Sequence, residues 1–253
     1  MRPLALLLAS ALVSLPLLSR AQQQPAMPGM HHMHSLPQGQ QPAAVSPAAP
    51  QPGAHHNHRT NGHRTHGQAT HNHGVGPAGQ SYDLRFLDAM VEHHRGALQM
   101  SEFVFDIGVP GVGSLAKQIW RDQAQEIKAM GQWRKAWYPE APVYPVAYLL
   151  GGDPNSIGAL IRMSPDQIAG MRMMESLPTQ SNRVTWFLEG MLQHHGGALI
   201  MARDALAKST NPTILRLARN IILAQRQEII RIRQLLQRDG LNKPEYFSYD
   251  ALF

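Results

Sequence analysis

The sequence predicts an all-α protein, a four-helix bundle assembled from two copies of one helix hairpin. Three observations carry this expectation. The segments FLDAMVEHHRGALQM (Phe86 to Met100) and FLEGMLQHHGGALIM (Phe187 to Met201) agree at nine of fifteen positions. Each is followed by a second apolar-periodic segment with the same Gln and Glu placement. A Pro- and Gly-rich stretch separates the two halves and is too long for a tight turn.

The 253 residues are enough for one sizeable domain plus extensions. Residues 1–21 read as an export signal. Arg2 is the basic start, Leu4 to Leu18 is the apolar centre, and Ser19-Arg20-Ala21 offers small residues for cleavage. About 15 apolar residues are short for a membrane span. No stable span is therefore expected after cleavage, and the expected location is periplasmic or secreted. Residues 22–80 are rich in Gln, Pro, Gly, Ala, His and Met and hold ten of the fourteen histidines. They lack apolar surface to offset the entropy of ordering, so they read as a disordered tail. The chain has no Cys, which excludes disulfides and thiolate metal sites. Its formal charge of +6 drops by two when Arg2 and Arg20 leave. That mild excess of base, without a recognisable module, gives no reason to expect a nucleic-acid partner.

From Asp83 the period becomes helical. A first helix is expected over 83–106, capped by Ser81 and stopped by Gly108, Pro110, Gly111 and Gly113. A second is expected over 114–137, capped by Ser114. Its seam is Ile119, Gln123, Glu126, Met130, Trp133 and Trp137. Residues 138–163 read as a long crossover. Ser164-Pro165 is a cap followed by Pro at the first helical position, and starts a short helix to about Ser176. A third long helix is expected over 182–208. A fourth starts at Asn211-Pro212 and closes at Gly240, with Ile214, Leu217, Ile221, Gln225, Glu228, Ile232 and Leu235 inward. Residues 241–253 are left as a C-terminal tail. Leu115-Ala116, Ile119, Gln123 and Gln125-Glu126-Ile127 match Leu217-Ala218, Ile221, Gln225 and Gln227-Glu228-Ile229, so the repeat spans the whole hairpin. Two hairpins joined by one long connection give a ferritin-like bundle over 81–240.

Helical spacing places Met90, His93, His94 and Met100 on one broad face, and Met191, His194, His195 and Met201 likewise. Folding each hairpin at its turn brings the seam Gln and Glu near the His pair. The first turn sets His94 opposite Glu126. The second sets His195 opposite Gln225, with Glu228 about one turn from His194. Imidazole with thioether suits copper: imidazole takes either oxidation state and thioether favours Cu(I). The candidate core ligands are therefore Met90, His93, His94, Met100, Met191, His194, His195 and Met201. Glu126 and Glu228 are either ligands or acceptors that orient a ligating ring. The same Gln/Glu seam would also serve as a buried polar network that fixes helix register. In the tail, Met27, Met30, His31, His32, Met33, His34, His55, His56, His58, His71 and His73 form auxiliary metal-binding clusters.

The pattern F-L-x-x-M-x-x-H-H-x-x-A-x-x-M, followed by a helix with Q-x-Q-E-I, resembles domain of unknown function family 305 over roughly residues 81–239. The resemblance implies an exported, ferritin-like four-helix protein linked to copper binding, with contact through the His and Met of both motif copies. The family usually has an Asp three residues before the motif Phe. Asp83 fits, whereas the second copy has Val184.

Together these features point to a non-enzymatic copper protein, taking Cu(I) and/or Cu(II), that sequesters or transfers the metal. Its partners would be metal ions, with a further copper-handling protein left open. Two alternatives stand beside it. A carboxylate-bridged dimetal redox enzyme needs Glu-x-x-His on two helices, and neither His pair has that Glu. A non-catalytic interaction bundle would use the polar seam for specificity alone.

Overall fold

The computed structural model describes residues 73–174 and 176–253. The expected signal, and every tail residue named above except His73, lie outside these residues. Five α-helices carry the fold: α1 (Tyr82–Glu102), α2 (Val112–Trp137), α3 (Pro165–Arg172), α4 (Arg183–Lys208) and α5 (Pro212–Arg238). Two short strands, β1 (Val146–Tyr148) and β2 (Leu160–Arg162), pair antiparallel with Ala147 opposite Ile161. Among the described residues no helix is long and apolar enough to cross a membrane.

The four long helices are the two expected hairpins, α1–α2 and α4–α5, and the fold is an all-α bundle. The repeat helices α1 and α4 pack against each other at its centre. They run in opposite directions: His93 meets His194, while Met100 further along α1 meets Gly190, earlier on α4. The seams of α2 and α5 face this pair. Ile119, Gln123 and Met130 are buried on α2, and all seven expected seam residues are buried on α5. Apolar burial at roughly 25 cal/mol per Å² is the main force holding these faces together.

Helix boundaries follow local chemistry, with several corrections. Ser164 caps α3 through a full capping box with Gln167, and Asn211 caps α5 by accepting from the Thr213 N–H. Ser81 precedes α1 but makes no side-chain cap. Its hydroxyl donates instead to the Pro154 carbonyl at 2.7 Å, tying the helix start to the crossover. Ser114 is not a cap either. Helix α2 begins two residues earlier, and the Ser114 hydroxyl donates back to the Gly111 carbonyl. The first helix stops at Glu102 and α3 stops at Arg172, both short of expectation. The crossover is not a plain loop, because its middle folds into the β1–β2 hairpin.

The boundary at residue 81 also moves. Composition assigns residues 73–80 to the disordered tail, yet Val75 and His73 are buried. The cause is Arg85. It is buried on α1 and donates to the carbonyls of Val75 and Pro77, while Lys208 donates to the Gly76 carbonyl at 2.9 Å. A buried guanidinium needs acceptors, and the preceding backbone supplies them. At the other end, residues 241–253 form two 3₁₀ turns that lie on α4, with Tyr246 buried.

Candidate metal centre

His93, His94, His194 and His195 are fully buried. The rings of His93 and His194 meet across the α1/α4 contact with centroids 3.8 Å apart. His94 and His195 stand 6.3 and 6.2 Å from their sequence neighbours. Gly197 permits this crowding. A Cβ there would lie 3.0 Å from His93 Nε2 and 2.6 Å from His73 Cε1, so only glycine leaves the space. His73 packs edge-on to His93 at 5.7 Å, so one auxiliary tail residue sits against the core rings.

Each outer histidine pairs with the seam carboxylate of its own hairpin. His94 Nε2 lies 2.6 Å from Glu126 Oε2, as the hairpin register predicts. His195 Nε2 lies 2.8 Å from Glu228 Oε2. Here the expected register, with Gln225 opposite His195, is corrected. The second hairpin is shifted by three residues, about one turn, which puts Glu228 there instead. His194 Nε2 lies 2.8 Å from the His93 carbonyl. Carboxylate and carbonyl oxygens only accept, so Nε2 carries a proton in all three rings, and whenever such a ring is neutral its Nδ1 carries the lone pair. All three Nδ1 atoms are buried and without a hydrogen-bond partner, as are both ring nitrogens of His93. Burial, then the neighbouring histidines, holds His93 well below the ordinary imidazole range, and burial followed by His195 does the same to His194. Both rings are therefore neutral and able to bind a cation without first losing a proton.

The methionines bracket this centre. Met90 and Met201 share one buried cluster with Met130, Met163 and Met171, and Met100 and Met191 share the other. In the opposed helices the pairs fall on either side of the imidazoles, Met90 and Met191 each about one turn from the nearest ring. Gln123 and Gln225, at equivalent repeat positions, are buried with their amide atoms unpartnered. Among the described residues no three His, Asp or Glu side chains converge enough to hold an ion by themselves. Thioether sulfur of the flanking methionines is the other soft donor type beside these imidazoles. That mixed, soft and uncharged donor set fits copper better than zinc, calcium or magnesium.

A second set of buried polar residues was not expected from sequence. Asp88 accepts from Arg134 and from the Val146 N–H, clamping the crossover to α1. Glu92 accepts from Arg95 and from Arg172 at 2.7 Å, clamping α3. Their repeat equivalents are Glu189, which accepts from Lys243 and Tyr246, and Gln193, which accepts from Tyr249. So the third and seventh motif positions hold down the segment that follows each hairpin. The signal was present in the repeat: these positions differ between copies only as Asp/Glu and Glu/Gln.

The fold and this centre define a helical bundle with a duplicated, buried histidine pair. The chain belongs to the family described as Domain of unknown function (DUF305), which matches residues 17–134 and 83–236. No match was found among the curated proteins. Among solved structures, CopM in the Cu(I)-bound form is 27% identical, with 62% of this chain and 96% of that chain covered and a TM-score of 0.46. CopM in the Cu(II)-bound form is 25% identical, with the same coverages and a TM-score of 0.45. A DUF305 fragment from Deinococcus radiodurans is 26% identical, with 64% and 99% covered and a TM-score of 0.45.

Proposed function

We propose that this protein binds copper outside the cytoplasm and sequesters it or hands it on, without catalysing a reaction. The observation that carries this reading is the set of buried, unpartnered Nδ1 atoms on His94, His194 and His195, with both His93 nitrogens unpartnered and methionines on either side. An unpartnered buried polar atom costs about 1–3 kcal/mol. Several in one place make sense where a ligand satisfies them. In this reading His93, His94, His194 and His195 ligate through these free nitrogens. Met90, Met100, Met191 and Met201 supply sulfur, and Glu126 and Glu228 orient His94 and His195 rather than ligate. Residues 1–21 direct export, and the tail with Met27, Met30, His31, His32, Met33, His34, His55, His56, His58, His71 and His73 gathers metal for the bundle at 81–240.

The carboxylates near the centre give little support to a dimetal oxidase. Asp88 and Glu92 are engaged by arginines, while Glu126 and Glu228 sit on separate histidines. The test is a Cu(I) competition titration of the mature chain against a chromophoric chelator, repeated with His93→Ala/His194→Ala. Loss of the tightest binding in the variant supports the reading. Unchanged affinity, or oxygen-dependent oxidation of added Fe(II) by the wild type, would overturn it.

A further inference from the structure

The segment between α2 and α4 carries four methionines outside the His–Met repeat: Met163, Met171, Met173 and Met174. Met163 and Met171 pack in the buried cluster around Met90. Met173 differs. It lines an open cavity of about 270 Å³ whose other walls include Met100 of α1 and Trp186, Glu189, Gly190 and Gln193 of α4. Met100 is almost fully buried at the floor, Met173 is half-buried, and Ser176 at the rim is exposed.

Two features show that this arrangement is specified. Met173 is the one described residue other than glycine with a left-handed backbone, at φ 53°. It ends α3 by donating its N–H to the Ala169 carbonyl at 3.0 Å, a role that glycine or asparagine ordinarily fills. A methionine is held there against its conformational preference, and it is one of the residues lining the Met100 cavity. Gly190 supplies the second feature. A Cβ on it would stand 3.4 Å from Met100 Sδ, so any longer side chain at this position would cover the sulfur.

We propose that Met100 and Met173 form an acquisition site for a soft monovalent cation, Cu(I) or Ag(I), where solvent reaches the α1/α4 contact. Two neutral thioethers bind such ions at any physiological pH and discriminate against Zn(II) and Ca(II). Gly190 precedes His194 by four residues, about 6 Å along the helix, and Met100 follows His93 by seven, about 10 Å. An ion captured here stands next to the imidazole core. The site rests on the copper reading and adds to it the point of entry.

The experiment uses the full mature chain with ¹³C-methyl methionine, titrated with silver nitrate and followed by methyl and imidazole NMR. Met173→Leu, close in volume, is the paired variant. The proposal expects the Met100 and Met173 methyls to shift together, and Met173→Leu to bind one equivalent fewer with the Met100 response reduced. A Met173 methyl that stays fixed while Met90, Met191 or the imidazoles respond would overturn the entry site and leave the copper reading intact. So would a Met100 response unchanged in Met173→Leu. Silence from every core methionine and histidine would overturn both.

Discussion

Glu228→Gln separates the metal role of the seam carboxylate from its structural role. His195 is fully buried and the Glu228 side chain is 8% exposed, with 2.8 Å between Nε2 and Oε2. Glutamine keeps the shape and still offers an oxygen to the Nε2–H. What is lost is the charge on the acceptor. Charge-assisted hydrogen bonds contribute about 1.5–3 kcal/mol and neutral ones about 0.5–1.5, so stability should fall by only about 1–1.5 kcal/mol. Copper affinity should fall further. A carboxylate on the distal nitrogen raises the basicity of Nδ1, and removing such a partner costs about 10–100-fold in metal affinity. Glu126→Gln should show the same pattern more weakly, because the Glu126 side chain is 26% exposed and solvent screens its charge. Urea unfolding of the metal-free protein gives the first quantity, and Cu(I) competition gives the second. A stability loss with unchanged affinity would refute the orienting role. Affinity falling far beyond 100-fold would make Glu228 a ligand.

Further outcomes follow from the same geometry. The metal-free protein should lose stability as pH falls below about 6.5, the ordinary imidazole value, because the unfolded chain then takes up protons that native His93 and His194 refuse. The slope is about 1.4 kcal/mol per pH unit for each ring, flattening above about pH 6.5. Urea melts on either side of that value check it, and a flat profile would contradict buried neutral rings. Gly96→Ala should destabilise by about 3–5 kcal/mol, since its Cβ would run into the Arg172 backbone and dislodge the buried Arg172–Glu92 pair. Gly131→Ala, with open space around it in α2, should instead stabilise by about 1 kcal/mol in thermal unfolding. Arg134→Ala should cost about 3–5 kcal/mol in the same assay by leaving Asp88 buried without its cation. Arg134→Lys should rescue little, because lysine lacks the fork that reaches Asp88 and the carbonyls of Pro142 and Tyr144 together.

The duplicated motif made the bundle and its centre legible in the sequence. A repeat that includes the hairpin partner fixes which helices are neighbours, and helical rise then fixes which residues share a height. That reasoning reaches His94 with Glu126 and misses His195 with Glu228 by three residues, because the effective turn of the second hairpin lies further along. The β1–β2 hairpin was hidden because three-residue strands carry no period to detect. His73 was hidden for another reason. The backbone that follows it is held by Arg85, further along the chain on α1, gathering carbonyls that no local pattern announces. The clamps at Asp88 and Glu92 look like ordinary helix-surface charges in the sequence. Only the tertiary placement of Arg134 and Arg172 makes them buried.

Long-range ¹H–¹⁵N spectra of the ¹⁵N-histidine protein, recorded as Cu(I) is added under reducing conditions, observe each imidazole nitrogen separately. Before metal, Nδ1 of His94, His194 and His195 should be bare and Nε2 protonated. On loading, those Nδ1 resonances should shift while Nε2 keeps its proton. If copper instead leaves all three in place and moves only histidines of residues 31–71, the folded bundle is not where the metal binds.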